Sequence, residues 1–333
     1  MGLLQYLVSR IGSYLVVLFV GLTITFFLPR LLPSDPIENY IFQLESQAGQ
    51  TMSPEEMAAI RATLQQLYGL EGSLFSQYAG YLERVVLRFD FGPSLANFPA
   101  PVNQLIRTAL PWTLGLMGIS VIISWVIGNL VGLLAGFFHD QPVATALEVL
   151  GVILYPTPAY IVALVAIMLF AYIWPIFPLT TTLRPGPLTL EKIRVILYNS
   201  FLPALTMVLT RLGWNILSMK AVSFANKEEP YVTYARLKGT RPLKIMTGYV
   251  ARNSILPQIT RLSLSLGAIF SGAVLIEILF SYPGLGLLMR TAAGSGDYNL
   301  LYGTITITIV AVATAALAID LLYPLFDPRI RLR

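Results

Sequence analysis

Six long apolar runs recur along this chain of 333 residues. A membrane-spanning helix needs roughly 20 mainly apolar residues, and each run reaches that length. The runs lack the alternation of apolar and polar positions that marks the strands of a membrane barrel. Because backbone polar groups in lipid must pair internally, we predict that each run is a helix. Their approximate bounds are 10–31, 109–137, 144–172, 199–220, 256–280 and 300–324.

The composition agrees with an all-α, polytopic membrane protein that has six transmembrane helices. Hydrophobic residues make up 56% of the chain and charged residues only 12%, whereas soluble domains carry about 25% charged residues. The first run follows Arg10 and carries no charge from Ile11 to Pro29. It ends without a small-x-small cleavage site, so we expect a retained helix and not a removed signal peptide.

Loop charges predict the orientation of these helices. Seven lysine or arginine residues face two glutamates in the loop 220–254, whereas the segment 33–108 has eight acidic residues against four arginines. Since positive loops stay in the cytoplasm, we place 220–254 and both termini there. The net charge of +5 is therefore mostly topological, and no nucleic acid partner is expected.

These boundaries divide the chain into four predicted parts. They are a first transmembrane helix at 1–32, an extracytoplasmic segment at 33–108, a five-helix core at 109–325 and a cytoplasmic tail at 326–333. Within the second part, Ser53, Pro54 and Glu56 predict a helix that starts with a capping box and that Gly69 can close. This helix is either a packing element or a docking surface for an extracytoplasmic partner.

Several kinds of chemistry are excluded by the residues present. The chain has no cysteine and one histidine, His139, which we interpret as a solvated loop residue; neither a cysteine nor a multi-histidine metal site is expected. It also lacks the phosphate loop G-x-x-x-x-G-K-[ST] and the common hydrolase and zinc-protease motifs. We therefore expect no catalytic site, no metal site and no cofactor, which leaves transporters, channels and structural membrane proteins.

The loop 229–239 has the strongest functional signal. Pro230 suits the start of a short amphipathic helix and Gly239 its end. Tyr231, Tyr234 and Ala235 fall on one helical face, where the small Ala235 would let another surface approach closely. Thr240 is then expected to cap a second helix that has Pro242 in its first turn. The first helix either lies on anionic lipid headgroups or inserts into a cytoplasmic partner.

This loop resembles the coupling motif in permeases of ATP-binding-cassette importers, in the dipeptide and oligopeptide branch. Further motifs of the branch follow in order along the whole chain. Two departures are Ser34, where glycine is usual, and the run 234–237, which lacks the commonest small residues. The coupling motif is present as Tyr231, Val232, Ala235, Arg236, Lys238 and Gly239; the others are Leu32–Pro36, Phe91–Leu95, Arg252, Asn253, Pro257, Thr260, Glu277, Phe280, Pro283, Gly284, Gly286, Asp297, Tyr298, Asp320, Tyr323, Asp327, Pro328, Arg329, Ile330 and Arg331.

The resemblance implies the type I importer permease fold, in the cell membrane. Two homologous permease subunits would pair, two ATP-binding subunits would bind ATP and Mg below them, and an extracytoplasmic binding protein would deliver the substrate. The ATPase activity would belong to those partners. The residues that the resemblance assigns to coupling with the ATPase are Tyr231, Val232, Tyr234, Ala235, Arg236, Lys238 and Gly239; of these, Tyr231, Tyr234, Ala235, Arg236 and Gly239 are expected at the interface itself.

Ionisable residues inside the apolar runs are candidates for the translocation path. Arg211 and Asn215 lie one turn apart in the fourth run and would line the path or its gate. An internal hydrogen bond or snorkelling toward the membrane surface is the alternative for Arg211. Glu277, near the outer end of the fifth run, either holds the following turn or belongs to an outer gate. That turn includes Pro283 and Gly284, and we predict a positive φ at Gly284.

The cargo stays open at this stage. Peptides follow from the resemblance, but related permeases also carry oligosaccharides, nickel and other solutes. A passive pore or channel would instead require a filter-like repeat or a ring of charges, and the sequence shows neither.

Overall fold

The computed structural model describes residues 3–27, 30, 37–38, 41–42, 45–46, 52–183, 189–267, 269 and 273–326. Regular structure in these residues is helical, apart from one isolated bridge between Pro93 and Pro101. Short π-helical turns follow three of the helices, at Glu83–Leu87, Met168–Ile173 and Met246–Val250. The α-helices are Leu3–Phe27 (α1), Pro54–Tyr68 (α2), Leu74–Leu82 (α3), Val102–Phe137 (α4), Pro142–Leu154 (α5), Ala159–Ile167 (α6), Leu190–Lys227 (α7), Pro230–Leu237 (α8), Pro242–Ile245 (α9), Ala251–Gly267 (α10), Ala273–Leu279 (α11), Leu285–Ser295 (α12) and Tyr298–Phe326 (α13).

Four helices in the described part of the chain are long and apolar enough to cross a membrane. They are Gln5–Phe27, Val102–Phe137, Leu190–Lys227 and Tyr298–Leu321, and each coincides with a predicted run. The third of them starts well before the predicted residue 199, because Thr189 caps it: its side-chain oxygen accepts a hydrogen bond from the Lys192 backbone at 3.2 Å.

The predicted run 144–172 is not one straight helix, and this expectation is corrected. α5 and the helical segment Ala159–Ile173 are bent by 101°. Pro156 and Pro158 cause the break, because neither can donate the backbone hydrogen bond that would continue the helix. The Thr157 hydroxyl donates to the carbonyl of Ile153 at 2.7 Å and so satisfies one group at the broken end. If the bent pair counts as one span, the described residues contain five.

Three predictions fall partly or wholly on residues outside the described part. The run 256–280 is divided between α10 and α11, and residues 268 and 270–272 between them are not described. The motif at 32–36 and the motif residues at 327–331 also lie outside the described residues.

The chain divides into two compact units, and each is described by itself. The first consists mainly of Met1–Thr113 and Pro283–Leu317. Tyr78 and Tyr81 of α3 pack there against the buried ring of Phe26 on α1. Arg30 covers this ring, with its guanidinium carbon 3.6 Å from the ring centre, and the Tyr81 hydroxyl lies 3.3 Å from that of Thr306.

The predicted helix of the first unit is present with its capping box. Glu56 donates its backbone N–H to the Ser53 hydroxyl at 3.2 Å, and its carboxylate accepts the Ser53 backbone N–H at 2.9 Å. Hydrogen bonding with Ser53 holds the pKa of the Glu56 carboxyl below its ordinary value, and the bond with the Ser53 backbone has the larger effect. Gly69 closes the helix in the left-handed conformation, as predicted.

The second unit consists mainly of Leu114–Tyr282, and in it a row of glycines on α4 lies against α7. Gly128, Gly132 and Gly136 are spaced four residues apart on α4 and lie against the backbone of α7. A Cβ atom on Gly132 would lie 2.5 Å from the Ile216 carbonyl oxygen and 2.8 Å from Cβ of Met219. Small residues at this spacing let membrane helices approach closely. The spacing was visible in the sequence, but our prediction did not use it.

Candidate functional site

The predicted amphipathic helix of the loop 229–239 is α8. Glu229 precedes it in an extended conformation and Pro230 occupies the first turn. Gly239 follows with φ of +75°, a conformation that favours glycine. The Gly239 N–H donates to the Arg236 carbonyl at 2.9 Å, and the Thr240 N–H donates to the Ala235 carbonyl at 3.1 Å. The predicted start and end of the helix are confirmed.

The second helix starts differently from the prediction. Arg241, and not Thr240, is the residue that precedes Pro242 at the start of α9. Thr240 instead belongs to the end of α8, because its backbone N–H donates to the Ala235 carbonyl there. The expectation that Thr240 caps α9 is therefore wrong, while Pro242 does lie in the first turn.

One face of α8 packs against its own chain. Val232 and Ala235, three residues apart, are 0% and 3% exposed. The expectation that Ala235 lies on an open face with the tyrosines is thus corrected: the i, i+3 pair is the inner face of the helix. Tyr234 at 61% exposure and Leu237 at 82% form the outer face, together with the exposed side chains of Arg236 and Lys238. The residues that pack with the inner face are Leu133, Phe137, Met219, Ile245, Met246 and Val250.

Tyr231 connects α8 to two long helices. Its hydroxyl accepts a hydrogen bond from Nδ2 of Asn253 at 2.9 Å and donates to Oδ1 of Asn226 at 3.4 Å. Nδ2 of Asn226, near the end of α7, in turn donates to the buried hydroxyl of Ser254 on α10 at 2.9 Å. Asn253 belongs to a motif that the sequence identified, but Asn226 was missed because its partners are distant in sequence.

A second polar cluster lies where α4 and α7 end. Lys227 donates to Nδ1 of His139 at 2.9 Å, and Nε2 of His139 donates to Asp140 at 2.8 Å. The Lys227 backbone carbonyl accepts a hydrogen bond from Arg236 at 3.5 Å. His139 lies in the turn after α4, as interpreted, but its side chain is only partly exposed and both ring nitrogens are hydrogen-bonded.

Arg211 and Asn215 line one cavity, as their positions on α7 predict. The cavity has a volume of about 180 Å³. Nδ2 of Asn215 donates to the Ser124 hydroxyl at 3.0 Å, which joins α7 to α4. The other lining residues come from α4, α7, α10 and the break after α5; they are Val121, Trp125, Tyr155, Thr210, Trp214, Leu262 and Ser265.

The turn after α11 differs from the prediction. Gly284 has φ of −95° and ψ of −174°, because it precedes the first turn of α12. The predicted positive φ is therefore wrong at Gly284; Ser281 takes it instead, with φ of 50°. Glu277 on α11 is fully buried, and its carbonyl accepts the Tyr282 N–H at 2.7 Å. Burial raises the pKa of the Tyr282 hydroxyl.

In the described residues, no three acidic or histidine side chains are placed to hold a metal ion.

The sequence of the chain matches two families of transport proteins. Residues 128–332 match the family described as the binding-protein-dependent transport system inner membrane component, and residues 3–116 match the corresponding N-terminal family.

The chain belongs to this family of transport permeases. It is 30% identical over 329 residues to a putative peptide permease protein of Brucella suis, with 99% of both chains covered. It is 28% identical to the dipeptide transport system permease protein DppB of Bacillus subtilis, with 98% of both chains covered. The oligopeptide transport system permease protein OppB of Haemophilus influenzae is 28% identical, with 99% of this chain and 100% of that one covered.

Membership establishes the class of the protein. The chain is an inner membrane component with the fold of type I importer permeases, and it is a membrane permease and not itself an enzyme. The resemblance that the motifs predicted is confirmed over the whole chain.

Proposed function

We propose that this permease forms half of the translocation path of an ATP-binding-cassette importer for di- or oligopeptides. A second homologous permease subunit forms the other half, and an extracytoplasmic binding protein delivers the peptide. Relatives whose names include peptide, dipeptide or oligopeptide transport align with this chain over nearly their full length, which supports this cargo.

The observation that carries the proposal is the two-sided construction of α8. Its inner face, Val232 and Ala235, is buried, whereas Tyr234 and Leu237 are exposed large side chains on the same eight-residue helix. An exposed apolar and aromatic surface held on a fixed support suits insertion into a partner's groove. We assign this outer face to the ATP-binding subunit, with Arg236 and Lys238 at its edge.

The remaining residues of the coupling motif then have a supporting role. Tyr231 is hydrogen-bonded to Asn226 on α7 and Asn253 on α10, so movement of α8 would be transmitted to both helices. Val232 and Ala235 pack against buried residues of the neighbouring helices and so fix the position of α8. Gly239 allows the chain to turn at the end of α8. ATP and Mg are bound by the partner subunits in this proposal, and this chain binds no cofactor.

The same proposal sets the orientation in the membrane. The loop 220–254 and both termini lie in the cytoplasm, as the loop charges favour. The segment 33–108 lies outside, where the helix α2 is available to the binding protein. The polar pocket around Arg211 and the turn with Glu277, Pro283 and Gly284 are assigned to the path or its gates.

The test is affinity purification of the tagged chain from its native membrane, followed by uptake measurements in proteoliposomes. Two ATP-binding subunits and a second permease should copurify, and the complex should import peptides only with ATP and the binding protein. Leu237→Glu should lose the ATP-binding subunits; Leu74→Glu, which changes another exposed apolar side chain, on α3, should keep them. Recovery of the chain without an ATP-binding subunit would overturn the machinery, and uptake of oligosaccharides in place of peptides would overturn the cargo.

A further inference from the structure

The cavity beside Arg211 is lined by one cationic side chain and by no acidic one. Arg211 and Asn215 line it from α7 and Ser265 lines it from α10, but no carboxylate is among its lining residues. Within the part of the chain that the structure describes, no acidic side chain forms an ion pair with Arg211. Charged groups at membrane depth normally pair with each other or face a wet path. Arg211 is therefore a candidate partner for a bound anion.

A second arginine lies close to the same wall. The guanidinium carbon of Arg261 on α10 is 5.4 Å from the ring centre of Trp214, and Trp214 lines the cavity. Nη1 of Arg261 is buried and has no hydrogen-bond partner among the described residues. Arg211 thus lines the cavity and Arg261 contacts Trp214 at its wall, and neither arginine has an acidic partner among the described residues.

The aromatic wall of the cavity is fixed by close backbone packing. A Cβ atom on Gly213 would lie 2.5 Å from the Tyr155 nitrogen and 2.7 Å from the Gly151 carbonyl oxygen. Because α7 approaches the break after α5 so closely, the rings of Tyr155 and Trp214 stack, with centres 5.2 Å apart and an interplanar angle of 28°. The cavity is therefore formed before any ligand arrives.

We propose that this cavity is a subsite for the terminal carboxylate of the transported peptide, with Arg211 as its main partner and Arg261 as a second positive charge. The inference rests on the proposed peptide cargo. A guanidinium forms two parallel hydrogen bonds with a carboxylate and does so with the greatest strength where water is excluded. The aromatic wall contacts the last residue of the peptide without selecting its side chain.

The size of the cavity supports an end-binding role. Pockets that enclose a drug-sized ligand have volumes of roughly 300–1,000 Å³, and this one has about 180 Å³. It can take a carboxylate and part of one residue but not a whole oligopeptide. Since every unmodified peptide ends in a carboxylate, such a subsite accepts many sequences.

The experiment compares a peptide that has a free C-terminus with its C-terminal amide in proteoliposomes that contain the complete transporter. The affinity of the binding protein for both forms is measured separately by calorimetry, and uptake is measured with both forms at saturation. We expect the wild type to import the free acid about tenfold faster, as loss of one charge-assisted hydrogen bond implies. Arg211→Gln should slow the free acid to the rate of the amide and leave the amide unchanged.

Three controls make the outcome decisive. Arg194→Gln changes an exposed arginine on the same helix and should keep the wild-type preference. Binding-protein-stimulated ATP hydrolysis shows that each variant assembles, and Arg261→Gln, expected to reduce the preference partly, covers the case in which the Arg211 variant fails to assemble. Equal uptake of acid and amide by the wild type would overturn the subsite and leave peptide import intact. No uptake of either peptide would count against the proposed function itself.

Discussion

The Tyr231 hydroxyl lies 2.9 Å from Nδ2 of Asn253, and this hydrogen bond joins α8 to the start of α10. The same hydroxyl contacts Asn226 at the end of α7. A single side chain on α8 is therefore hydrogen-bonded to two long helices of its unit. Under the proposed function, these bonds are the route by which movement of α8 would reach α7 and α10.

Removal of this hydroxyl should weaken coupling without loss of assembly. Tyr231→Phe keeps the ring but removes the donor to the Asn226 side-chain oxygen and leaves Nδ2 of Asn253 with only its bond to the Tyr249 carbonyl, at a cost of about 1 kcal/mol. We expect the number of peptides imported per ATP to fall several-fold while the ATP-binding subunits still copurify. Tyr249→Phe is the matched control, since Tyr249 is exposed, lies in the same loop outside α8, and its hydroxyl makes no hydrogen bond among the described residues. Equal coupling ratios in the two variants would contradict the proposed route.

The close packing of the α4 glycines against α7 predicts that two glycine substitutions on α4 differ in their effect on stability. Gly132→Ala places a methyl group 2.5 Å from the Ile216 carbonyl oxygen, so the helices must separate. Overpacking of this kind costs about 1–3 kcal/mol. We expect a lower midpoint for thermal unfolding in detergent, measured by loss of the monodisperse size-exclusion peak. Gly118→Ala on the same helix has no atom within 4 Å and should leave the midpoint unchanged or raise it slightly. A Gly132 variant as stable as the Gly118 variant would show that this contact is not tight.

Local sequence patterns predicted the elements that depend on neighbouring residues. The apolar runs located the long helices, because the cost of unpaired backbone groups in lipid permits little else. Pro230 and Gly239 located α8 because each acts on the backbone at its own position. The capping box at Ser53 was predicted for the same reason.

Features that depend on distant residues were not predicted. An eight-residue helix such as α8 does not reveal which face meets its own chain, and the burial of Ala235 depends on residues far away in sequence. Pro156 and Pro158 were visible, but the hydropathy of 144–172 concealed the bend that they cause. The partners of Asn226 and the approach of Arg261 to Trp214 follow from packing and have no local signal.

In the first unit, Asp297 holds a loop to the start of α13, and its loss should destabilise both. Its carboxylate accepts the Ser94 hydroxyl at 2.6 Å, the Ala96 N–H at 3.1 Å and the Leu300 N–H at 3.0 Å. Asp297 and Ser94 are fully buried, so Asp297→Ala leaves several donors without a partner, at about 1–3 kcal/mol for each buried group. We expect a clearly lower unfolding midpoint and faster proteolysis near residues 94–97. Glu71→Ala, at an exposed carboxylate in the same unit, is the control and should change neither measurement. Unaltered proteolysis in the Asp297 variant would show that the loop is held by other contacts.

The two faces of α8 predict two different defects from the same substitution. Ala235→Glu introduces a carboxylate at a position that is 3% exposed, where an unpaired charge is costly. This variant should unfold at a lower temperature in detergent even in the absence of any partner subunit. Leu237→Glu introduces the same group at a position that is 82% exposed, so the isolated chain should keep its unfolding midpoint.

Only the Leu237 variant therefore tests the ATP-binding interface without a folding defect. We expect it to fold, to lose the ATP-binding subunits during purification and to show no ATP-dependent uptake. If Leu237→Glu retained full uptake, the outer face of α8 would not be the contact surface, and α8 would instead be a structural support for α7 and α10.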